Sequence, residues 1–75
     1  MSALRGYSAS VDVLTPRMVA VLRSAAAGRT ATETALELHV SEQTIRSVRA
    51  AACARLEAPN VVAAVATALR RGELH

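Results

Sequence analysis

One segment of the chain, residues 41–56, brings polar side chains together on one side of a predicted helix. At about 100° per residue, Gln43, Arg46 and Ser47 lie opposite Ile45, which belongs to an apolar stripe. An arginine can donate two hydrogen bonds to O6 and N7 of guanine, and a glutamine can pair in a similar way with adenine. This face is therefore predicted to read base edges in the major groove of double-stranded DNA, with Arg46 as the principal reader.

Further side chains near this face could hold the phosphate backbone of the same DNA. The backbone N–H groups behind Ser41 and the hydroxyl of Thr44 form a phosphate site at the start of the helix. Arg49 lies at the edge of the apolar stripe, from which its guanidinium can reach a flanking phosphate. Thr30, which begins the preceding helix, completes the predicted DNA-binding set. The alternative is that Arg46 and Arg49 only solvate an exposed helix, but the surrounding turn and caps favour binding.

Start and stop signals define the first two of four predicted helices. The first helix begins with Thr15 as its N-cap and Pro16 in its first position, and Gly28 ends it. The second begins with a capping box, in which Thr30 and Glu33 each satisfy a backbone N–H of the other. A short helix with such a defined start, followed by another N-cap, predicts a tight turn between two helices.

The third and fourth helices are delimited in the same way. The third begins at Ser41, and the sequence Glu-Ala-Pro at 57–59 breaks it. Asn60 caps the fourth helix, residues 61–71, and Gly72 closes it.

Composition and apolar spacing favour an all-α fold. The 75 residues include no Trp, no Phe and one Tyr, and the many alanines form helices readily. The predicted core residues recur at helical spacing: Met18, Val21, Leu22, Ala25, Ala35, Leu38, Ile45, Val48, Ala52 and Leu56. We predict a small four-helix domain over residues 14–75, with a helix-turn-helix at about residues 30–50. Residues 1–13 lack helical periodicity and are predicted to be a flexible arm.

Charge and cysteine content narrow the possible functions. The net charge is +3 and every basic residue is an arginine, which suits contacts to phosphate and guanine but is also common in GC-rich genomes. Cys53 is the one cysteine and is expected to be a packed small residue. No set of residues at catalytic or metal-ligand spacing predicts an enzyme, a metal or a cofactor. No stretch is apolar enough to span a membrane, so we expect a cytoplasmic protein.

Several short motifs resemble the LuxR, or GerE, family of bacterial helix-turn-helix regulators. They are Leu14-Thr15-Pro16-Arg17, Val21-Leu22-Arg23, Ala26-Ala27-Gly28, Glu33, Ala35, Val40-Ser41-Glu42, Thr44-Ile45-Arg46, Arg55-Leu56 and Ala68-Leu69-Arg70-Arg71-Gly72. The similarity extends without a gap from Leu14 to the end of the chain. It implies that Thr44, Arg46 and Ser47 contact DNA, and that the fourth helix mediates dimerisation.

Some positions depart from the family pattern. Thr34 stands where members usually have an apolar residue, Met18 where they have an acidic one, and Val48 where they have histidine. Alanine replaces polar or basic residues at Ala50, Ala51 and Ala54. Thr34 and Ala52 should thin the core, and Ala50 and Ala54 remove potential base readers. Affinity or specificity should therefore be lower than in a typical member, or should depend more on DNA shape.

The fourth helix carries more apolar surface than one core needs. The residues expected to face the domain's own core are Ala64, Val65, Ala68 and Leu69. Val62 and Ala66 widen the apolar arc to about 200°, well beyond the roughly 100° that packing on one core requires. We therefore predict a homodimer with Val62, Ala66 and Leu69 at its interface. The alternative is that this face is exposed to solvent and is apolar only because the helix is rich in alanine, which is also common on solvent faces.

Two other interpretations compete with this prediction. The segment Thr44-Ile45-Arg46-Ser47 is also similar to the second helix of region-four domains of sigma factors, although the spacing from Leu14 to Gly28 fits the LuxR pattern better. In the second interpretation the protein keeps the fold but binds RNA polymerase, a sigma factor or another regulator instead of DNA. The loss of arginines from the recognition face and the unusually apolar fourth helix are what that second interpretation would predict.

Overall fold

Short turns join helices throughout the part of the chain that the structure describes. The computed structural model describes residues 14–75, and this part contains four helices and no strand. The helices are α1 (Pro16–Ala26), α2 (Ala31–Leu38), α3 (Glu42–Leu56) and α4 (Val61–Arg70). The predicted all-α, four-helix fold is confirmed. The predicted arm, residues 1–13, lies outside the described residues.

A polar side chain caps the start of each of these helices, as predicted. In every case an oxygen of the cap accepts a hydrogen bond from a backbone N–H in the first turn. The pairs are Met18 N with Thr15 Oγ1 (3.1 Å), Glu33 N with Thr30 Oγ1 (3.1 Å), Thr44 N with Ser41 Oγ (3.0 Å) and Ala63 N with Asn60 Oδ1 (2.9 Å). Because a helix leaves its first N–H groups without intrahelical acceptors, each cap stabilises the protein by about 1 kcal/mol.

Residues in the left-handed conformation follow the helix ends. Gly28 (φ 87°) and Gly72 (φ 74°) follow α1 and α4, as predicted. His39 (φ 60°) and Glu57 (φ 53°) end α2 and α3 at positions where the sequence offers no glycine. The left-handed conformation is higher in free energy for a residue with a Cβ than for glycine. The packing of the helices must therefore hold these two turns in place. α4 ends at Arg70, one residue earlier than predicted.

Two groups of apolar side chains form the core. The larger lies between α1, α3 and α4 and consists of Leu14, Met18, Leu22, Ala52, Leu56, Ala64, Ala68 and Leu74. The smaller, Val21, Ala35 and Ile45, joins α1, α2 and α3. Small alanines at the contacts let the helix backbones approach closely. Ala25, Leu38 and Val48 were all predicted to be core residues but are only half-buried. Leu38 and Val48 pack at the edge of the smaller group.

The orientation of α4 differs from the prediction at Leu69. This side chain is 51% exposed, although the sequence predicted that it faces the domain's own core. The helix packs through Ala64 and Ala68, and after Gly72 the chain turns back so that Leu74 is buried beside them. Leu69 is one residue beyond Ala68 and so is turned away from the core by about 100°. It therefore belongs to the exposed side of α4.

Candidate nucleic-acid interface

The outward face of α3 carries the residues predicted to read bases. Gln43, Arg46 and Ser47 are all exposed, as are Ala50 and Ala54 further along the same helix. The opposite side of α3 is fixed in the core by its buried apolar residues. The alanine side chains are methyl groups that cannot form hydrogen bonds with a base. The polar part of this face is therefore limited to the first two turns of α3.

Arg46 is paired with Glu42 one turn earlier in α3. Nη2 of Arg46 donates a hydrogen bond to Oε2 of Glu42, and the two side chains are 63% and 37% exposed. A guanidinium has five N–H donors, so others remain for an acceptor outside the protein. Glu42 is not among the predicted DNA-binding residues. It lies four residues before Arg46, and helical residues of opposite charge at this spacing can form an ion pair.

Ser41 and Thr44 form a hydroxyl pair at the N-terminus of α3. Oγ of Ser41 accepts a hydrogen bond from Thr44 N and lies 2.9 Å from Thr44 Oγ1. This cap satisfies the N–H of Thr44, while helix geometry directs the N–H groups of Glu42 and Gln43 out of the first turn. The positive end of the helix dipole lies at the same place. The arrangement suits a phosphate oxygen, which is an anionic hydrogen-bond acceptor.

Thr30 belongs to the predicted capping box, which the structure contains. Its N–H donates to Oε1 of Glu33 over 2.8 Å, and its Oγ1 accepts from Glu33 N. Thr30 is exposed, and neither bond uses the hydrogen of its hydroxyl. The hydroxyl can therefore still donate to a phosphate.

Arg49 extends from α3 towards the turn between α1 and α2. Its Nη2 donates to the carbonyl oxygen of Arg29 over 3.3 Å, and its buried Nε has no hydrogen-bond partner among the described residues. Arg29 directly precedes Thr30, so the Arg49 guanidinium and the Thr30 hydroxyl belong to neighbouring parts of the surface. The half-buried position of Arg49 agrees with the expectation that its stem follows the edge of the core.

A groove of about 300 Å³ lies between the start of α1 and the outward face of α3. Its lining residues are Thr15, Arg17, Met18, Gln43, Thr44, Ser47, Val48 and Ala51. Arg17 is exposed and adds a positive charge to this surface, but it is not among the predicted DNA-binding residues. The motif Leu14-Thr15-Pro16-Arg17 places it in the first turn of α1. Only the packing of α1 against α3 brings it close to Gln43 and Ser47.

Comparison with protein families agrees with this geometry. The model of the family described as bacterial regulatory proteins, luxR family, matches residues 12–68, which include α1, α2, α3 and most of α4. The chain belongs to the LuxR family. The resemblance found in the sequence is confirmed, and the match favours it over the sigma-factor interpretation. LuxR-family domains of this kind are DNA-binding helix-turn-helix domains. No curated protein matched the chain.

Two departures from the LuxR-family pattern lie beside the proposed reading face. Met18 and Val48, which stand where members usually have an acidic residue and a histidine, both line the groove between α1 and α3. Met18 is buried and Val48 is half-buried. At these positions the wall of the groove is therefore apolar, and it carries no negative charge that would repel a phosphate.

A second exposed surface of this LuxR-family domain lies on α4. Val62 is 76% exposed, and Ala66 and Leu69 are exposed on the same side. A smaller groove of about 220 Å³ adjoins it, lined by Ala25, Ala26, Val61, Val62 and Val65. All three residues predicted to form a dimer interface are thus accessible to a second copy of the chain.

The described residues contain neither a metal-binding cluster nor a membrane-spanning helix. Within residues 14–75 no group of His, Cys, Asp or Glu side chains could hold a metal ion. None of the helices in that range is long and apolar enough to cross a lipid bilayer. Cys53 is half-buried and packs against the larger core group, as expected of a small packed residue.

Proposed function

We propose that this protein is a sequence-specific transcription regulator that inserts α3 into the major groove of double-stranded DNA. The observation that carries the proposal is that Gln43, Arg46 and Ser47 are exposed together in the first two turns of a helix whose other side is fixed in the core. Recognition helices present this end to base edges. Such a protein acts in the bacterial cytoplasm, on nucleoid DNA.

Base recognition rests mainly on Arg46. Its free donors can form two hydrogen bonds with guanine, while Gln43 can pair with adenine and Ser47 with several bases. Each good bidentate pair contributes about 1–3 kcal/mol of discrimination against the wrong base. Ala50 and Ala54 can add only apolar contacts, for example with the methyl group of thymine. Sequence-dependent DNA shape must therefore supply part of the specificity.

Contacts with DNA phosphates on either side of the major groove hold α3 in place. One phosphate is bound by Ser41, Thr44 and the first-turn N–H groups. The Thr30 hydroxyl and Arg49 bind the sugar-phosphate backbone of the DNA near α2. The present acceptor of Arg49 is a neutral carbonyl, that of Arg29. A phosphate oxygen is a stronger acceptor because it is charged, so Arg49 gains from the exchange. Arg17 adds a contact from the first turn of α1.

A homodimer through α4 would place two recognition helices on one DNA duplex. Val62, Ala66 and Leu69 form an exposed apolar stripe, and a two-fold axis would bury this stripe against the same stripe of a second copy. Recognition helices related in this way bind successive major grooves about 34 Å apart. The DNA site is therefore expected to be an inverted repeat with half-sites one helical turn apart.

Selection from random-sequence DNA, followed by a salt series, tests the proposal. The wild-type protein should enrich an inverted repeat, and the logarithm of its affinity should fall linearly with the logarithm of the salt concentration. If no sequence is enriched and binding to DNA does not respond to salt, the proposal is wrong.

A second candidate function is an interaction module for RNA polymerase, a sigma factor or another regulator. The observation in its favour is Leu36, which is 74% exposed on α2, together with the alanines that shorten the polar face of α3. In that case the protein would bind RNA polymerase or a sigma factor at salt concentrations that abolish its binding to DNA.

A further inference from the structure

The carboxylate of Glu42 lies next to the proposed base reader. It accepts a hydrogen bond from Nη2 of Arg46, and both side chains remain accessible to solvent. Exposed ion pairs between residues four apart in a helix contribute little stability. The pair has a larger effect on which acceptors on DNA, phosphate oxygens or base atoms, Arg46 can bind.

Phosphates and guanine differ in what they require of the pair. To contact a phosphate, Arg46 must either leave Glu42 or bring the Glu42 carboxylate close to another negative charge, and both are unfavourable. The O6 and N7 atoms of guanine are neutral acceptors. The remaining guanidinium donors can reach them while Nη2 stays on Glu42. The pair therefore penalises contact with phosphate more than contact with guanine.

We propose that Glu42 is a specificity-determining residue that acts through Arg46. It weakens binding to DNA of arbitrary sequence and leaves the contact between Arg46 and guanine largely intact, so the ratio of specific to non-specific affinity increases. This inference rests on the proposed function. In a short reading face with a single arginine, such a residue raises selectivity without adding a base contact.

A purely structural role for Glu42 makes a different prediction. An acidic residue at the first position of a helix interacts favourably with the helix dipole. If that were its only role, replacing Glu42 would lower the stability of the fold and leave the preference for one DNA sequence unchanged. Stability and sequence preference must therefore be measured separately.

The experiment compares Glu42→Gln with the matched control Glu57→Gln. Both variants remove one negative charge, but Glu42 is the first residue of α3 and Glu57 is the residue that caps the opposite end of this helix. Dissociation constants are measured for the site selected by the wild-type protein and for random-sequence DNA, at one salt concentration. Glu42→Gln should tighten binding to random-sequence DNA by about three- to tenfold and lower the specificity ratio by a similar factor. Glu57→Gln should leave the ratio unchanged.

The same substitution in an Arg46→Ala background tests whether Glu42 acts through Arg46. There the specificity ratio should no longer respond to Glu42→Gln. An equal fall of the ratio with and without Arg46, or no fall in either background, overturns the inference. If the wild-type protein selects no site at all, the proposed function fails, and this inference fails with it before any variant is measured. If the wild type selects a site but Glu42→Gln keeps its specificity ratio, this inference alone fails.

Discussion

The hydroxyl oxygens of Ser24 and Thr34 lie 2.7 Å apart in the buried contact between α1 and α2. Thr34 Oγ1 is also 2.9 Å from the carbonyl oxygen of Thr30, and Ser24 Oγ is 3.1 Å from Oε1 of Glu37. Two hydroxyls supply two hydrogens for these three contacts, so two of them at most are hydrogen bonds at one time. Each possible arrangement links α1 to α2 through polar groups, at a position where LuxR-family members usually have an apolar residue.

Thr34→Val should lower the free energy of unfolding by about 1 kcal/mol, because it removes a buried hydroxyl while keeping the shape of the side chain. Ser24 keeps Glu37 as an acceptor, which limits the loss. The double variant Ser24→Ala with Thr34→Val should lose less than the sum of the two single variants, since both delete the same contact. Denaturant unfolding followed by circular dichroism measures all three. Additivity within about 0.3–0.5 kcal/mol would show that the two hydroxyls are not coupled.

Arg46→Ala should relax the sequence preference and cost about 1–3 kcal/mol of binding free energy at a selected site. The reason is the loss of the bidentate pair with guanine, which other residues on the face cannot replace. Arg23→Ala is the control, because it removes the same charge from an exposed position in the last turn of α1. Quantitative gel shifts on the selected site and its single-base variants provide the measurement. Equal affinity of wild type and Arg46→Ala for the selected site would rule out Arg46 as the base reader.

Arg49→Ala should weaken binding to all DNA sequences alike and lower the slope of log affinity against log salt by about one. Both effects are expected of a residue that contacts phosphate and not a base. Arg17→Ala should behave in the same way if the groove between α1 and α3 borders the DNA. A change in the preferred base at one position of the site would instead assign Arg49 to base reading.

The helix starts and the reading face could be predicted because their determinants are local. Each N-cap bonds a backbone N–H only three residues away, and the exposure of Gln43 and Arg46 follows from the apolar period of α3. The pair of Glu42 and Arg46 could have been predicted too, since its spacing of four residues is visible in the sequence. The helical wheel of α4 assigned Ala64 and Ala68 to the core correctly, but it also assigned Leu69 there, and Leu69 is exposed.

Three other contacts join residues that are distant in the sequence. The bond from Arg49 to the carbonyl of Arg29 spans 20 positions, and the bond between Ser24 and Thr34 spans 10. Arg17 approaches the reading face only because α1 packs against α3. No local pattern encodes such contacts, since they depend on the relative placement of whole helices.

Val62→Glu should abolish self-association and weaken DNA binding, because a two-fold interface would bury the new charge twice without a partner. The matched control is Leu36→Glu. Leu36 on α2 is 74% exposed and Val62 on α4 is 76% exposed, so the two substitutions place the same charge on equally accessible apolar positions. Only the α4 position lies within the proposed interface. Unfolding curves verify that both variants keep the fold.

Sedimentation velocity at several protein concentrations, with and without a DNA duplex that carries the inverted repeat, distinguishes the outcomes. Wild type and Leu36→Glu should sediment as a dimer on the duplex, and Val62→Glu should bind a single half-site as a monomer. Binding should then respond little to the spacing between half-sites, since two copies no longer hold one another in register. If Val62→Glu and wild type have the same sedimentation coefficient and the same affinity, Val62 is not part of the interface. A dimer seen in that experiment would have to form through another surface.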